Sequence, residues 1–443
     1  MLASIILWFK EDVLVFKIMG LITLSLTLIA GPKEPFKAKL INGLNLIVLE
    51  NHSVPQAWVQ VWYNVGSKDE VDGHTGLAHI LEHTMFHGTK LQPNFNAVIS
   101  ECGGYANAST YYDFTNYYEN IDIACLPKML MLEADRMKNL LLDPKTVALE
   151  LKAVREERLG QEQSPEFLLY EQAMAALYIR GPYHHLPIGW MADIENTQLA
   201  DIKAWYQNWY VPNNATLIVA GDVVPQQVLA LANKYFSKIP ARVLPVRTLR
   251  PNVPLRATSK LAMNSQLLAE NSVSISYLVP SIVSAKDPKE VYALEVLAAL
   301  LSYGDNSLMN RKLVQTGKAL SAVAYYSPMR RFQTNFVLGM SASKKKPAED
   351  DLLQLLKSLH ESGILNRDLK RAQALLIAND TFSKDNYGEL VTRYGYNAVL
   401  GREVSELSSY KDNIKLVKAQ DVLRVLDKYI LSAKYVQQSL NKG

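Results

Sequence analysis

The chain has 443 residues, 49% hydrophobic and 20% charged, a globular composition long enough for two domains of ordinary size. Its formal net charge of +4 is small and its basic residues are scattered, which argues against a nucleic-acid binder. The two cysteines, Cys102 and Cys125, exclude a cysteine-rich zinc site; two free buried thiols are expected, with a single disulfide as the alternative in an oxidising compartment.

In chain order, residues 18–30, "IMGLITLSLTLIA", form an uncharged apolar run behind Lys17. The run is short for a bilayer span and reads as an export signal with cleavage near Ala30. Leu28 fits the small-x-small rule poorly, so an uncleaved anchor is the rival, and translation starting at Met19 is a further option. Residues 38–65 alternate as strands do, with a hairpin turn at Asn42-Gly43 and a strand over 57–65. A loop leads into the helix carrying "GLAHILEHTMFHGT". Residues 95–102 read as helix, and 103–121 as one strand-like segment opened by Gly103-Gly104. Helical patterns follow over 127–142, 144–160 and 165–179, then a buried strand over 214–223 and a helix over 224–236. Four prolines between 239 and 258 place a linker there. The second half restarts with the strand "SVSISYLVP" and the helix "KEVYALEVLAALLSYGDN".

That restart repeats the order strand, loop, helix, glycine. Aligning Gly88 with Gly304 sets Glu295, Ala298 and Ala299 where the first half has His79, Glu82 and His83. The reading is an α+β protein of two homologous α/β domains, each a mixed sheet with helices packed on it. The boundaries are 1–35 for the signal or anchor, 36–240 for the first domain, 241–258 for the linker and 259–443 for the second domain.

Residues four apart lie one turn apart on a helix face, so His79 and His83 can offer two imidazoles to one ion. Glu82 lies close to that face without being needed as a ligand. A catalytic zinc site takes three protein ligands, so one is missing. Glu150 and Glu157, seven apart on the helix 144–160, share a face; Glu156 is turned away by about 100°. Glu157 is chosen as the third ligand and Glu150 as a carboxylate that orients the site. On spacing alone a solvated helix face is equally well supported. His87 is a competing ligand one turn beyond His83. His184 and His185, being adjacent, read as loop or surface residues.

The H-x-x-E-H string is the inverted zinc motif, and "GSKDEVDGHTGLAHILEHTMFHGT" closely resembles the pitrilysin-type metallopeptidases, which include insulin-degrading enzyme and the β-subunit of the mitochondrial processing peptidase. The resemblance continues through "GGYANASTYYDFTNYY", "VREERLGQEQSPE", "PYHHLPIGWMADIEN" and "WYVPNNATLIVAGDV". It implies half of a clamshell built from two related domains, one Zn2+ per chain on His79, His83 and Glu157, and Glu82 as general base in peptide hydrolysis. It also implies that the strand over 105–119 takes the peptide as an added strand, with Asn107 and Ala108 on the edge. One departure stands out. The family's substrate-holding arginine and tyrosine, seven apart, fall here on Val314 and Ser321. The implied partner is a homologous subunit supplying that pair, with a homodimer or a monomer of weaker substrate grip as the other options. The expected activity is a zinc endopeptidase, exported, periplasmic in a Gram-negative bacterium; the alternative is a non-catalytic structural or peptide-binding subunit of the same fold.

Overall fold

The structure is a computed structural model that describes residues 34–247, 252–342, 349–403 and 405–443; the apolar segment read as an export signal lies outside them. Six short strands form the first sheet. They are β1 (Phe36–Lys39), β2 (Asn45–Glu50), β3 (Gln56–Tyr63), β4 (Tyr105–Thr110), β5 (Thr115–Asp122) and β6 (Ala215–Gly221), in the order β1-β2-β6-β3-β5-β4. Only β2 and β6 run parallel. Between β3 and β4 lie α1 (Leu77–Thr84) and α2 (Phe95–Glu101). Between β5 and β6 lie α3 (Leu126–Asn139), α4 (Pro144–Glu162), α5 (Pro165–Leu177), α6 (Met191–Asn196) and α7 (Leu199–Trp209), and α8 (Pro225–Phe236) follows.

The second sheet contains β7 (Ser259–Ser265), β8 (Asn271–Val279), β9 (Ser321–Tyr326), β10 (Thr334–Ala342) and β11 (Val436–Lys442), in the order β7-β11-β8-β10-β9. Leaving out β1, this is the first sheet's order strand for strand, again with one parallel pair, β7 and β11. Its helices repeat the layout: α9 (Pro288–Ser302) follows β8, and α10 (Glu349–Ser362), α11 (Asn366–Asp385), α12 (Tyr387–Leu400), α13 (Ser405–Ser408), α14 (Tyr410–Leu416) and α15 (Ala419–Leu426) lie between β10 and β11. Among the described residues no helix is long and apolar enough to cross a membrane.

The central strands read as continuous apolar runs because both faces are covered. One face of the first sheet packs its own helices, with Val59, Val61, Leu217 and Val219 against Ile80, Leu81 and Met129. The other face is covered by a helix of the opposite half: Leu390, Val391 and Tyr394 of α12 lie on Ile47, Trp62 and Ile218. The exchange is reciprocal, since Leu169, Met174 and Leu177 of α5 belong to clusters with Val436 and Leu440 of the second sheet. At Gly395 the approach is so close that an added Cβ would lie 1.9 Å from the Trp62 ring. The turns of the two equivalent hairpins also meet. Tyr183 donates its hydroxyl to Asp113 at 2.8 Å, and Asp113 accepts from the Arg331 N–H at 3.1 Å.

Two expectations are corrected here. Residues 103–121 are not one strand but a hairpin, β4 and β5, turning at 111–114. The turn, Tyr-Tyr-Asp-Phe, carries neither glycine nor proline. The cysteines are not free: Cys102 and Cys125 form a disulfide with a Cα–Cα distance of 5.8 Å. A single strand of that length would hold them roughly 60 Å apart, whereas the hairpin returns its second end to its first.

Candidate metal centre and active-site cleft

Helix α1 turns Leu77, Ala78, Ile80 and Leu81 into the core and leaves His79, Glu82 and His83 toward α4 and the open edge of the sheet. Helix α4 is pinned by Val147 and Val154, seven apart and buried, and by Arg158, which pairs with Glu171 and with Glu162 at 2.9 Å. Glu150 and Glu157 each follow one of those valines by three residues, so both carboxylates come to the same side of the helix.

His79, His83 and Glu157 converge, their ligand atoms all within 4.8 Å of one another. Glu157 Oε2 lies 3.7 Å from His79 Nε2 and 3.6 Å from His83 Nε2. These separations are too long for hydrogen bonds and close to the roughly 3.4 Å between ligand atoms of a tetrahedral zinc. His79 Nδ1 is buried without a hydrogen-bond partner. Burial pushes the His79 imidazole down to about 4, leaving it in the neutral form that ligates metals. The neighbouring His83 holds Glu157 below the usual carboxylate range. A half-buried neutral imidazole, an ionised carboxylate and a second imidazole at these spacings fit a divalent zinc ion.

The other predicted residues surround this group. Glu150 sits 3.2 Å from His83 Nδ1 and 2.6 Å from His87 Nε2. His87 is therefore engaged by Glu150 and is not among the convergent ligands. Glu82 accepts a hydrogen bond from the Thr110 hydroxyl at 2.6 Å, and burial pushes its carboxyl up to about 7. Thr110 ends β4, the outermost strand. On that strand Asn107 is exposed while Ala108 turns its methyl into the core. Asn107 Oδ1 accepts from the Ala108 N–H at 2.9 Å. Glu82, His83, Phe86, His87, Asn94, Asn96, Asn107 and Glu150 line a cavity of about 530 Å3. Thr110, Phe86, Asn94 and Asn96 had no local sequence signal, because only the folded hairpin and the turn after α1 bring them to the site. His185 is a correction: it is 2% exposed rather than a surface residue, with its Nδ1–H donated to the Leu186 carbonyl at 3.2 Å. The packing of the 181–190 loop behind α1 buries it.

The comparisons agree with this architecture. The model of the insulinase family, peptidase family M16, matches residues 46–186, and that of the peptidase M16 inactive domain matches residues 196–376. Zinc protease PqqE of Helicobacter pylori is 31% identical over 406 residues, covering 88% of this chain and 89% of its own. The crystal structure of a protease from Helicobacter pylori superposes with a TM-score of 0.85 at 27% identity, covering 93% of this chain and all of that one. The periplasmic protease PqqL of Escherichia coli shares the fold, with a TM-score of 0.78 at 19% identity; the match covers 93% of this chain and 48% of that one. The chain belongs to peptidase family M16. Its two repeated α/β domains are the half-clamshell of that family.

Proposed function

We propose that this chain is the zinc-bearing catalytic subunit of a two-chain endopeptidase that cleaves extended peptides. The observation that carries the reading is the convergence of His79, His83 and Glu157, with Glu82 beside them, next to an unpaired sheet edge. His79, His83 and Glu157 would hold the zinc. Zinc bound there supplies Lewis acidity and lowers the pKa of water toward neutrality.

The chain's own residues do the rest. Glu82 takes the proton of the attacking water as the new C–O bond forms and delivers it to the amine nitrogen as the C–N bond breaks. The Thr110 hydroxyl fixes one Glu82 oxygen and so holds the carboxyl in place beside the candidate ligands. Glu150 holds the His83 ring through Nδ1. The substrate backbone adds to β4, and the Ala108 N–H exchanges the Asn107 side chain for a substrate carbonyl.

The need for a second chain is supported by Val314 and Ser321. Neither bears the charge or ring of the family's arginine and tyrosine, and Ser321 instead pairs its hydroxyl with Ser341 at 2.8 Å. The match to 48% of the longer Escherichia coli chain fits half of a closed chamber. Export to an oxidising compartment is supported by the Cys102–Cys125 pairing.

The test is peptide cleavage by the purified chain alone and mixed with a homologous subunit carrying the arginine–tyrosine pair. The expected result is low activity alone and a large gain on mixing, lost with Glu82→Gln. Zinc-loaded chain that cleaves nothing under either condition would favour the peptide-binding, non-catalytic alternative.

A further inference from the structure

Helix α1 begins at Gly76, whose φ of +89° puts its backbone in the left-handed region, and neither Gly76 nor another N-cap side chain closes the first turn. The free N–H groups of that turn are taken by a residue from outside the helix. Glu70 Oε2 accepts from the Gly76 N–H at 2.9 Å, and Glu70 Oε1 accepts from the Ala78 N–H at 2.8 Å. Ala78 directly precedes His79. Glu70 is 2% exposed, and among the described residues no lysine or arginine forms an ion pair with it. His185 Nδ1 lies 3.7 Å away and gives its hydrogen to Leu186 instead. A buried carboxyl with no cationic side chain is costly to ionise, and burial pushes Glu70 up to about 8; the N–H groups at the positive end of the helix oppose that rise and fix both oxygens in place.

The same end of α1 is held at two further points. Thr75 gives its N–H and its hydroxyl to Asp193 Oδ2, at 3.1 and 2.7 Å, and accepts the Trp190 N–H at 2.9 Å. An added Cβ at Gly189 would lie 2.6 Å from the Gly76 nitrogen, so the two backbones are in contact. The start of α1 is thus fixed against the 186–193 segment, and Glu70 sets its rotation from within. Both Glu70 oxygens accept from backbone N–H groups, and an isosteric amide, which replaces one of those acceptors by an NH2, cannot satisfy both.

We infer that Glu70 is a positioning residue that sets the rotation of α1, and thereby the aim of His79 and His83 at the metal. The inference rests on the zinc reading above. Groups that orient metal ligands typically contribute 10- to 100-fold in metal affinity.

The experiment measures zinc affinity by chelator competition, and the visible spectrum of the Co2+-substituted protein, for wild type, Glu70→Gln and Asn42→Ala. Asn42 is the stability comparator. Its side-chain amide donates to the Phe236 and Ile239 carbonyls at 2.8 and 2.9 Å, away from α1. The expected result is a 10- to 100-fold loss of zinc affinity in Glu70→Gln with an altered Co2+ spectrum, while Asn42→Ala melts lower with wild-type zinc affinity. Wild-type affinity and spectrum in Glu70→Gln would overturn the inference, as would an equal affinity loss in Asn42→Ala. Should Glu70→Gln not fold, Glu70→Asp keeps the carboxyl group with a shorter reach. A several-fold weaker zinc affinity is expected for it, and unchanged affinity overturns the inference. Absence of zinc binding in wild type would instead defeat the parent reading.

Discussion

The two halves share one strand order and one helix layout, yet among the described residues only the first brings two imidazoles and a carboxylate together. Where α1 carries His79, Glu82 and His83, the equivalent α9 carries Glu295, Ala298 and Ala299. With those positions apolar but one, α9 is fifteen residues long and buries eleven of them, while α1 is eight residues long and buries six. The glutamate that remains is pushed up to about 8 by burial and accepts from the Tyr410 hydroxyl at 3.3 Å. On α11, the counterpart of α4, the buried Asp380 is paired with Lys384 at 2.7 Å and Arg393 at 2.6 Å. Cationic side chains thus occupy the carboxylate that a metal would need. One fold is thus packed in both halves, with the candidate ligand set in the first and without it in the second.

The largest effect expected from disturbing the comparison is chemical. Glu82→Gln should lower kcat about 10^2- to 10^4-fold while zinc content stays at the wild-type level, whereas Glu295→Gln in the other half should leave both unchanged. Steady-state kinetics with metal analysis on the two variants decides this; equal losses would make the halves functionally alike. Next comes a stability effect confined to the first half. Reducing Cys102–Cys125, or replacing both cysteines by serine, should lower unfolding stability by about 3 kcal/mol for a loop of this size, read by denaturant melts. Smaller again is Gly395→Ala. A helical Gly→Ala exchange ordinarily gains up to about 1 kcal/mol, but the Trp62 ring fills the Cβ position, so a loss of about 1–3 kcal/mol from overpacking is expected. A stabilised variant would mean that α12 does not sit on the first sheet. The smallest expected effect is none: Ala298→Glu with Ala299→His and Glu295→His should leave zinc at one per chain, because Asp380 stays committed to Arg393 and Lys384.

What the sequence disclosed was whatever local spacing controls. The i, i+4 histidines and the seven-residue step from Glu150 to Glu157 are helical periods, and they place the candidate ligands without tertiary knowledge. The repeat was legible through the Gly88–Gly304 alignment, since both halves use the same strand, loop and helix. Features that depend on distant partners were not. The hairpin turn at 111–114 has neither glycine nor proline to mark it, and as one continuous strand the segment would keep the two cysteines apart. The burial of His185 depends on packing against a helix more than a hundred residues earlier in the chain, and the grip of Glu70, only six and eight residues before the N–H groups it holds, depends on the path of the loop between them. The reciprocal exchange of α5 and α12 leaves no local trace, because a helix face looks the same whichever sheet it covers.

Zinc stoichiometry on the purified chain, for wild type, His83→Ala and Glu157→Ala, decides whether His79, His83 and Glu157 hold one metal ion. One equivalent in wild type and none retained by either variant after dialysis is the predicted result. A wild-type protein that takes up no zinc, or a Glu157→Ala variant that holds it as tightly as wild type, would contradict the claim.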